Sequence, residues 1–386
     1  MTATRRRYAW LLPLVLMGTA AARSEDSKAA KADRGPLQLT LPPVCYSVAG
    51  TEFTLWFENL VLTQTPGKYK YKVEAGVGRT EARRWSWTPG ASDVGKRTVT
   101  VSVTDAEGTP LGKASTELRI APADSGKGRP LTLLIVGDSL THATAYPNEL
   151  ARLLSQPGNP KWSMLGTHRP ANATPGVAHE GYGGWTWERF NTLFTAKPDP
   201  EKKGQQSSPF VFAEDGGKPA LDIERYLKEH ADGKTPDVVF FLLGINDCFG
   251  AKPDDPARLD EHIDRVLAQA DILLAAFHKA APKATLAVGL TTPGNVREGA
   301  FQANYQGRYP QWGWKWIQHR LVQKELEHFA GREKEGIAIV PTEIELDPLD
   351  GYPDNNAVHP STAGYNQVAR SIYALLKNHL VEPPAP

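Results

Sequence analysis

Four short blocks along the chain contain the residue types that acyl transfer requires. They lie at residues 137–140 (GDSL), 181–186 (GYGGWT), 244–247 (GIND) and 359–360 (HP). Acyl transfer needs a nucleophile, a base that takes its proton, and hydrogen-bond donors for the oxygen that gains negative charge. A serine, a histidine, an asparagine and glycines with open backbone N–H groups can supply these parts.

The serine of the first block, Ser139, follows a run of apolar residues. Residues 131–136 (LTLLIV) have the length and bulk of a strand that is buried on both faces, and the run stops at the Gly-Asp-Ser-Leu turn. Ligands of open α/β sheets bind at the carboxyl ends of the strands, and a tight turn there can present a serine hydroxyl outward. The same serine could instead cap the following helix, so this motif alone leaves both roles open.

Beyond residue 131, strand patterns alternate with helix patterns. Further strands are predicted at residues 237–244, 285–290 and 337–340. Helices are predicted at residues 147–154, 221–229, 257–280, 312–330 and 361–377. This alternation predicts an α/β fold of three layers, with a parallel sheet between two layers of helices. A long loop is predicted at residues 291–311, where it would form a wall of the site.

Residues 36–121 have a different pattern, in which short segments mostly alternate apolar and polar residues between turns. The pattern predicts a small β-sandwich and resembles the immunoglobulin-like modules that often precede catalytic domains. Residues 122–130 have no periodic apolar pattern and are predicted to be a linker. The sequence therefore predicts an all-β sandwich at 36–121 followed by an α/β domain at 131–380.

The first 22 residues resemble a secretory signal peptide. Three arginines at positions 5–7 precede a short apolar run, and three alanines at 20–22 suit a cleavage site. The apolar run is too short to span a bilayer, although a retained amino-terminal anchor is an alternative. Residues 23–35 are predicted to be a disordered leader. We therefore expect export to the periplasm or the cell exterior, without stable membrane insertion after cleavage.

The overall composition is that of a soluble globular protein. Hydrophobic residues make up 40% of the chain and charged residues 23%, with a formal net charge of +1. This charge balance offers no general attraction for nucleic acid or for an anionic membrane surface, so neither is expected as a partner. Because no Cys/His cluster has zinc spacing, the sequence predicts no metal site, and nothing in it implies a cofactor.

Together, the four blocks resemble those of the SGNH hydrolases, also called the GDSL lipase/esterase family. They occur in the family's order from residue 137 to residue 360, which spans nearly all of the predicted α/β domain. The resemblance implies an ester hydrolase in which Ser139 is the nucleophile and His359 the general base. It also implies three oxyanion donors: the backbone N–H groups of Ser139 and Gly184, and the side-chain amide of Asn246. Gly183 replaces Gly184 if the register of the second block differs by one.

One position departs from the family pattern. The family usually has an aspartate three residues before the histidine, and this chain has Asn356. An asparagine can accept a hydrogen bond from the imidazole, but it has no charge to stabilise the imidazolium. Either Asn356 orients His359 in a Ser-His dyad, or a carboxylate such as Asp354 or Asp350 reaches the ring. The first alternative is slightly favoured.

Aromatic residues close to the predicted site indicate a substrate class. Trp185, Tyr305 and Trp312 are candidate substrate contacts, because aromatic rings stack on sugars. Together with export and an accessory sandwich, they favour an acetyl ester on a carbohydrate, or another small ester, as the substrate. Lipid or thioester acyl groups are alternatives within the family. An alternative from a different class is a non-catalytic glycan-binding protein, in which Asn356 marks lost activity.

Overall fold

The computed structural model describes residues 37–202, 204–214 and 217–381. Its strands are β1 Val44–Val48, β2 Phe53–Trp56, β3 Lys70–Glu74, β4 Arg79–Thr80, β5 Arg84–Trp87, β6 Gly95–Thr104, β7 Pro110–Ala121, β8 Pro130–Gly137, β9 Lys161–Leu165, β10 Glu180–Gly181, β11 Val211–Phe212, β12 Ala220–Leu221, β13 Val238–Leu242, β14 Thr285–Gly289 and β15 Ile337–Val340. Its α-helices are α1 Phe57–Leu60, α2 Ser139–His142, α3 Ala145–Leu154, α4 Trp187–Thr192, α5 Ile223–His230, α6 Ile245–Cys248, α7 Pro256–Ala280, α8 Glu298–Tyr305, α9 Gln311–Phe329 and α10 Thr362–His379.

A parallel sheet organises the second part of the chain. Its strand order is β10-β8-β13-β14-β15, with β9 paired to the first half of β8. Every pair in this sheet is parallel. All five residues of β13 (VVFFL) are buried, as expected for a strand covered by helices on both faces. The predicted α/β fold is therefore confirmed.

The helices pack in two groups. In one group α3 lies on α10, and in the other α4, α5 and α9 lie on α7. The helix predicted at 257–280 is α7; it begins with Pro256 after the capping side chain of Asp255. Its buried residues recur every three or four positions, which gives the helix one apolar face against the core.

The N-terminal β-rich region, residues 44–121, contains two sheets. One has the order β1-β7-β6-β3 and the other the order β2-β5-β4. Apolar and polar residues alternate along β6, so one face of this strand is buried and the other is accessible. The likeness to immunoglobulin modules stays a prediction. From Gln38 onward the described residues form one compact unit, so this β-rich region shares an interface with the α/β region.

The segment predicted to be a linker, residues 122–130, is tied to helix α10. The Ser125 hydroxyl donates to the carbonyl of Lys377 at 2.8 Å, and the Lys377 ammonium donates to the carbonyl of Ser125 at 2.5 Å. Arg129 donates to the carbonyl of Leu380 at 3.2 Å. These bonds fix the chain where it enters the parallel sheet.

The loop predicted at residues 291–311 contains a helix, α8, so that part of the prediction is wrong. The helix has only two buried residues, Ala300 and Phe301. Such a sparse apolar pattern gives no clear helical period in the sequence. The helix is held by tertiary contacts, among them those of Asn304 with Asn355 and Ala357.

Two expectations for the amino terminus fall on residues that the structure does not describe. The predicted signal peptide at 1–22 and the predicted leader at 23–35 both lie outside the described residues. Within the described ranges, no helix combines the length and the apolar character needed to cross a membrane.

Candidate active site

Ser139 is the first residue of α2, at the carboxyl end of β8. The side chain of Asp138 caps this helix by accepting a hydrogen bond from the N–H of Leu140 at 2.9 Å. At Gly137, a Cβ atom would lie 2.0 Å from Oγ1 of Thr141 and 2.9 Å from the carbonyl oxygen of Leu242. Only glycine therefore allows α2 to approach the sheet this closely. The close turn leaves Ser139 half-buried at the sheet edge.

His359 contacts Ser139, although the two residues are 220 positions apart in the sequence. Its Nε2 lies 2.8 Å from the Ser139 Oγ, and its Nδ1 lies 3.2 Å from Oδ1 of Asn356. The backbone N–H groups of Val358 and His359 also donate to this Asn356 atom. Because this atom accepts two backbone hydrogens, it is the amide oxygen, and Nδ1 of His359 must donate to it. The lone pair of Nε2 therefore faces the serine hydroxyl, as a general base requires.

Burial lowers the pKa of His359 below its ordinary value. The imidazole is consequently neutral near pH 7 and can accept a proton. Asn356 does not oppose this effect, because an amide oxygen is only partly negative, whereas a carboxylate at the same place would favour the charged ring.

The structure brings Asn356 to His359, which is the first of the two predicted alternatives. Asp354 forms a salt bridge with Arg297 at 3.2 Å, and 89% of its side chain is exposed. Asp350 lies between Arg83 and Arg297, and 72% of its side chain is exposed. Both carboxylates are thus engaged by arginines at the surface and do not orient the imidazole.

The glycine block follows β10, which pairs with the last residues of β8. In this pairing Gly181 lies opposite Gly137, so the turn after β10 emerges at the same sheet edge as Ser139. Gly184 has a φ of +75°, which favours glycine, and a Cβ there would contact nothing within 4 Å. Within the described residues, the N–H groups of Gly183 and Gly184 have no acceptor, so both are open to a ligand.

Asn246 joins the serine turn to the glycine block. Its Nδ2 donates to Oδ2 of Asp138 at 3.2 Å and to the carbonyl oxygen of Trp185 at 3.1 Å. Both amide hydrogens are therefore used within the protein in this structure. Donation to an oxyanion requires that Asn246 share or release one of these bonds.

Two buried carboxyl groups lie next to the proposed oxyanion donors. They belong to Asp138, which precedes Ser139, and to Asp247, which follows Asn246. Burial raises the pKa of Asp138 to about 7, and the nearby Asp247 adds to this effect. Burial also raises the pKa of Asp247 to about 7, although the N–H of Trp187 donates to its Oδ1. Both carboxyl groups therefore hold a proton to a higher pH than an exposed aspartate does.

The three aromatic residues predicted to contact substrate occupy different environments. The side chain of Trp185 is buried against Tyr182 and Phe190, so its ring belongs to the core and the predicted stacking is wrong for it. Tyr305 is half-buried against Phe249, which immediately follows the helix that bears Asn246. Trp312 is half-buried and packs edge-to-face on Trp316 along α9.

Sequence reasoning missed the residues that hold the loop before His359. Asn295, which is fully buried, donates through its amide to the carbonyls of Pro353 and Asn356. Arg297 donates to the carbonyl of Leu349 at 2.6 Å. The acceptors in these bonds are backbone carbonyls. Because every residue has one, the sequence does not indicate which residues accept these bonds. Among the described residues, no group of three or more His, Cys, Asp or Glu side chains is placed to hold a metal ion.

The chain matches the family model described as GDSL-like Lipase/Acylhydrolase over residues 133–372. Because the match covers more than half of the sequence and the α/β fold agrees with it, the chain belongs to the GDSL-like lipase/acylhydrolase family, whose members include hydrolases and esterases. No curated protein matches the chain.

Solved structures to which the chain is similar include two esterases and a lipase. The native M. Smegmatis aryl esterase is 15% identical, with a TM-score of 0.37, and the match covers 64% of this chain and 99% of that one. An acetyl xylan esterase, AlAXEase, is 14% identical, with a TM-score of 0.33 and coverage of 64% and 100%. The lipase Lip_vut3 from a goat rumen metagenome is 14% identical, with a TM-score of 0.36 and coverage of 63% and 95%.

Proposed function

We propose that this protein is an exported serine esterase that removes acetyl groups from a carbohydrate through an acyl-serine intermediate. The observation that carries the proposal is the 2.8 Å contact between Nε2 of His359 and Oγ of Ser139. In addition, Nδ1 of His359 donates a hydrogen bond to Asn356, which leaves Nε2 without a proton. A nucleophile and a base in this relation are the minimum requirement for acyl transfer.

The reaction follows from these positions. Oγ of Ser139 attacks the ester carbonyl while Nε2 of His359 takes its proton. The resulting oxyanion accepts hydrogen bonds from the N–H groups of Ser139 and Gly184 and from one amide hydrogen of Asn246. As the intermediate collapses, His359 returns the proton to the leaving alcohol and the acyl group stays on Ser139. Water activated by His359 then releases the acid and restores the serine.

Support for a carbohydrate ester comes from the half-buried aromatic side chains beside the candidate site. Tyr305 packs on Phe249, and the neighbouring Asn304 contacts the loop that leads to His359. Tyr305 thus contacts the residue two positions after the asparagine block, and its chain neighbour contacts the loop that leads to His359. A partly exposed phenol ring in this place offers an apolar face and a hydroxyl to a sugar ring.

Acetate release from a panel of acetylated plant and bacterial glycans would test the proposal. The wild-type protein should release acetate from at least one glycan, and the Ser139→Ala variant should not. Ser163→Ala is a matched control, because Ser163 is an exposed residue on β9, and it should behave like the wild type. Binding of a polysaccharide without any acetate release would instead support the non-catalytic alternative.

A further inference from the structure

We infer that the N-terminal β-rich region positions the loop that carries His359, so that this region is a working part of the active site. The inference rests on the proposed esterase function. We call residues 343–347 the anchor segment and residues 348–359 the histidine loop. The anchor segment follows the last strand of the parallel sheet, β15, and leads directly into the histidine loop.

Four consecutive carbonyl groups of the anchor segment accept hydrogen bonds from the β-rich region. The donors are two residues at the end of β2 and in α1, namely Trp56 and Asn59. The bonds are Asn59 Nδ2 to Glu343 O at 2.8 Å, Trp56 N to Ile344 O at 3.0 Å, Trp56 Nε1 to Glu345 O at 3.2 Å and Asn59 Nδ2 to Leu346 O at 2.9 Å. The β-rich region therefore fixes the path of the anchor segment residue by residue.

Asn59 is fully buried, and its two amide hydrogens bind carbonyls that are three residues apart in the anchor segment. Holding these two carbonyls on one amide imposes a bend on the backbone between them. Buried carbonyl groups without a donor are costly, by about 1–3 kcal/mol each. Within the folded protein, the amide of Asn59 therefore stabilises this bend.

Arg83 extends this support to the first turn of the histidine loop. It forms a two-bond ion pair with Glu58, at 3.0 and 2.9 Å, and its Nη2 also donates to Oδ1 of Asp347 at 2.8 Å. That Asp347 oxygen in turn accepts the N–H of Leu349 at 2.9 Å. Since 5% of the Asp347 side chain is exposed, its charge depends on Arg83 for compensation.

The other end of the histidine loop is held by the α/β region, through Asn295 and Asn304. The loop is thus held near its end by the α/β region and at its start by both regions, because Arg297 and the N–H of Val296 also donate to the carbonyls of Leu349 and Pro348. A base displaced by about 1 Å can cost a hundredfold in rate, so a clamp at either end affects catalysis. Arg83 is accordingly a positioning residue that acts through the loop on His359.

The test compares Arg83→Met with Arg83→Lys and Arg119→Met in the full chain. Arg119 is the matched control, because it belongs to the same region but pairs with Glu117. For each variant, kcat and KM for p-nitrophenyl acetate are measured from pH 5 to pH 9. Hydrogen exchange of the peptide covering residues 348–359 is measured in parallel, together with the melting temperature.

For Arg83→Met we expect kcat/KM to fall about tenfold, mainly through kcat. The acid limb of its pH profile should move to higher pH, because a displaced His359 is less buried and its pKa returns toward the ordinary value. Exchange in residues 348–359 should accelerate. Arg83→Lys should fall between this variant and the wild type, and Arg119→Met should match the wild type.

An unchanged pH profile together with unchanged exchange in residues 348–359 would overturn the inference, even if the melting temperature of Arg83→Met falls. A merely structural role predicts that outcome, since it changes the amount of folded protein and not the pKa of its base. Failure of the proposed function has a different signature: wild-type activity no greater than that of Ser139→Ala. In that case the exchange of residues 348–359 would still report whether Arg83 holds the loop.

Discussion

Asn356 determines which nitrogen of His359 carries a proton, and it does so without a formal charge. Its Oδ1 accepts hydrogen bonds from two backbone N–H groups and from Nδ1 of the imidazole. The geometry of a catalytic triad is therefore complete, while the charge that usually stabilises the imidazolium is missing. The expected result is a base that is well oriented but weaker than in a Ser-His-Asp site.

At the residue scale, Asn356→Asp should strengthen this base. The carboxylate can accept the same three hydrogen bonds, and its charge favours the protonated imidazole, which raises the pKa of His359. The acid limb of kcat/KM for p-nitrophenyl acetate should therefore move to higher pH. At pH 8, where the imidazole is neutral in both proteins, kcat should rise about tenfold.

The orienting role is tested separately by removing the amide. Asn356→Ala should lower kcat at pH 8 by about a hundredfold, because the imidazole loses its tautomeric preference and its orientation. Asp354→Ala is the control: this carboxylate is exposed and paired with Arg297, so its loss should change kcat less than twofold. The reverse order of effects would contradict the assignment.

At the scale of elements, the turn after β10 combines an unusual backbone with an open N–H. Gly184 has a φ of +75° and Gly50, in the β-rich region, a φ of +83°; a Cβ at either position would contact nothing within 4 Å. Alanine at each position should therefore cost a similar free energy of unfolding, about 1 kcal/mol. The N–H of Gly50 donates to the carbonyl of Pro89, whereas the N–H of Gly184 has no acceptor among the described residues and is expected to serve the oxyanion.

Gly184→Ala should consequently lower kcat at least tenfold, because the strained turn moves the N–H away from the oxyanion. Gly50→Ala should lower the melting temperature by a similar amount and leave kcat unchanged. Steady-state kinetics and thermal unfolding of the two variants provide the comparison. Equal activity of both variants would show that the N–H of Gly184 does not serve as a donor, and Gly183 would then become the candidate.

The sequence predicts an element well when the element follows from the pattern of its own residues. It predicts an element poorly when contacts with distant residues hold that element. The strand before Ser139 and helix α7 were predictable, because their apolar residues are continuous or periodic. Helix α8 was missed because only Ala300 and Phe301 are buried along it. The burial of Trp185 was missed because an aromatic residue next to a site suits both a core and a binding surface.

At the scale of the whole molecule, buried carboxyl groups couple stability to pH. Burial raises the pKa of Glu325 and of Glu345 to about 8, and it also raises that of Glu343. The folded protein retains these protons, whereas the unfolded chain releases them above its ordinary carboxyl pKa of about 4.3. The free energy of unfolding should therefore fall as the pH rises from about 4.3 to about 8, and the contribution should then level off.

Glu345→Gln should remove one part of this dependence, because an amide does not ionise. Relative to the wild type, the variant should gain stability progressively up to about pH 8, by about 5 kcal/mol in total. Urea unfolding at pH 5, 7 and 9 gives the comparison. Glu224→Gln, at an exposed position, should show no such trend, and a gain for Glu345→Gln that is the same at all three pH values would contradict the account.

The interface between the β-rich region and the α/β region is the feature that sequence reasoning could not reach. Asn59 and its two acceptors are more than 280 positions apart in the chain. The acceptors are backbone carbonyls, which every residue possesses. The four blocks of the candidate site were visible because side-chain chemistry restricts which residue types can occupy them, and no such restriction marks a carbonyl.

The most direct test of the account is the steady-state rate of p-nitrophenyl acetate hydrolysis by the wild type and by Ser139→Ala at pH 8. The variant should lose at least about a thousandfold in kcat, because it lacks the hydroxyl that lies 2.8 Å from Nε2 of His359. The variant should retain the melting temperature of the wild type. Equal rates for the two folded proteins would contradict the central claim that Ser139 is the nucleophile.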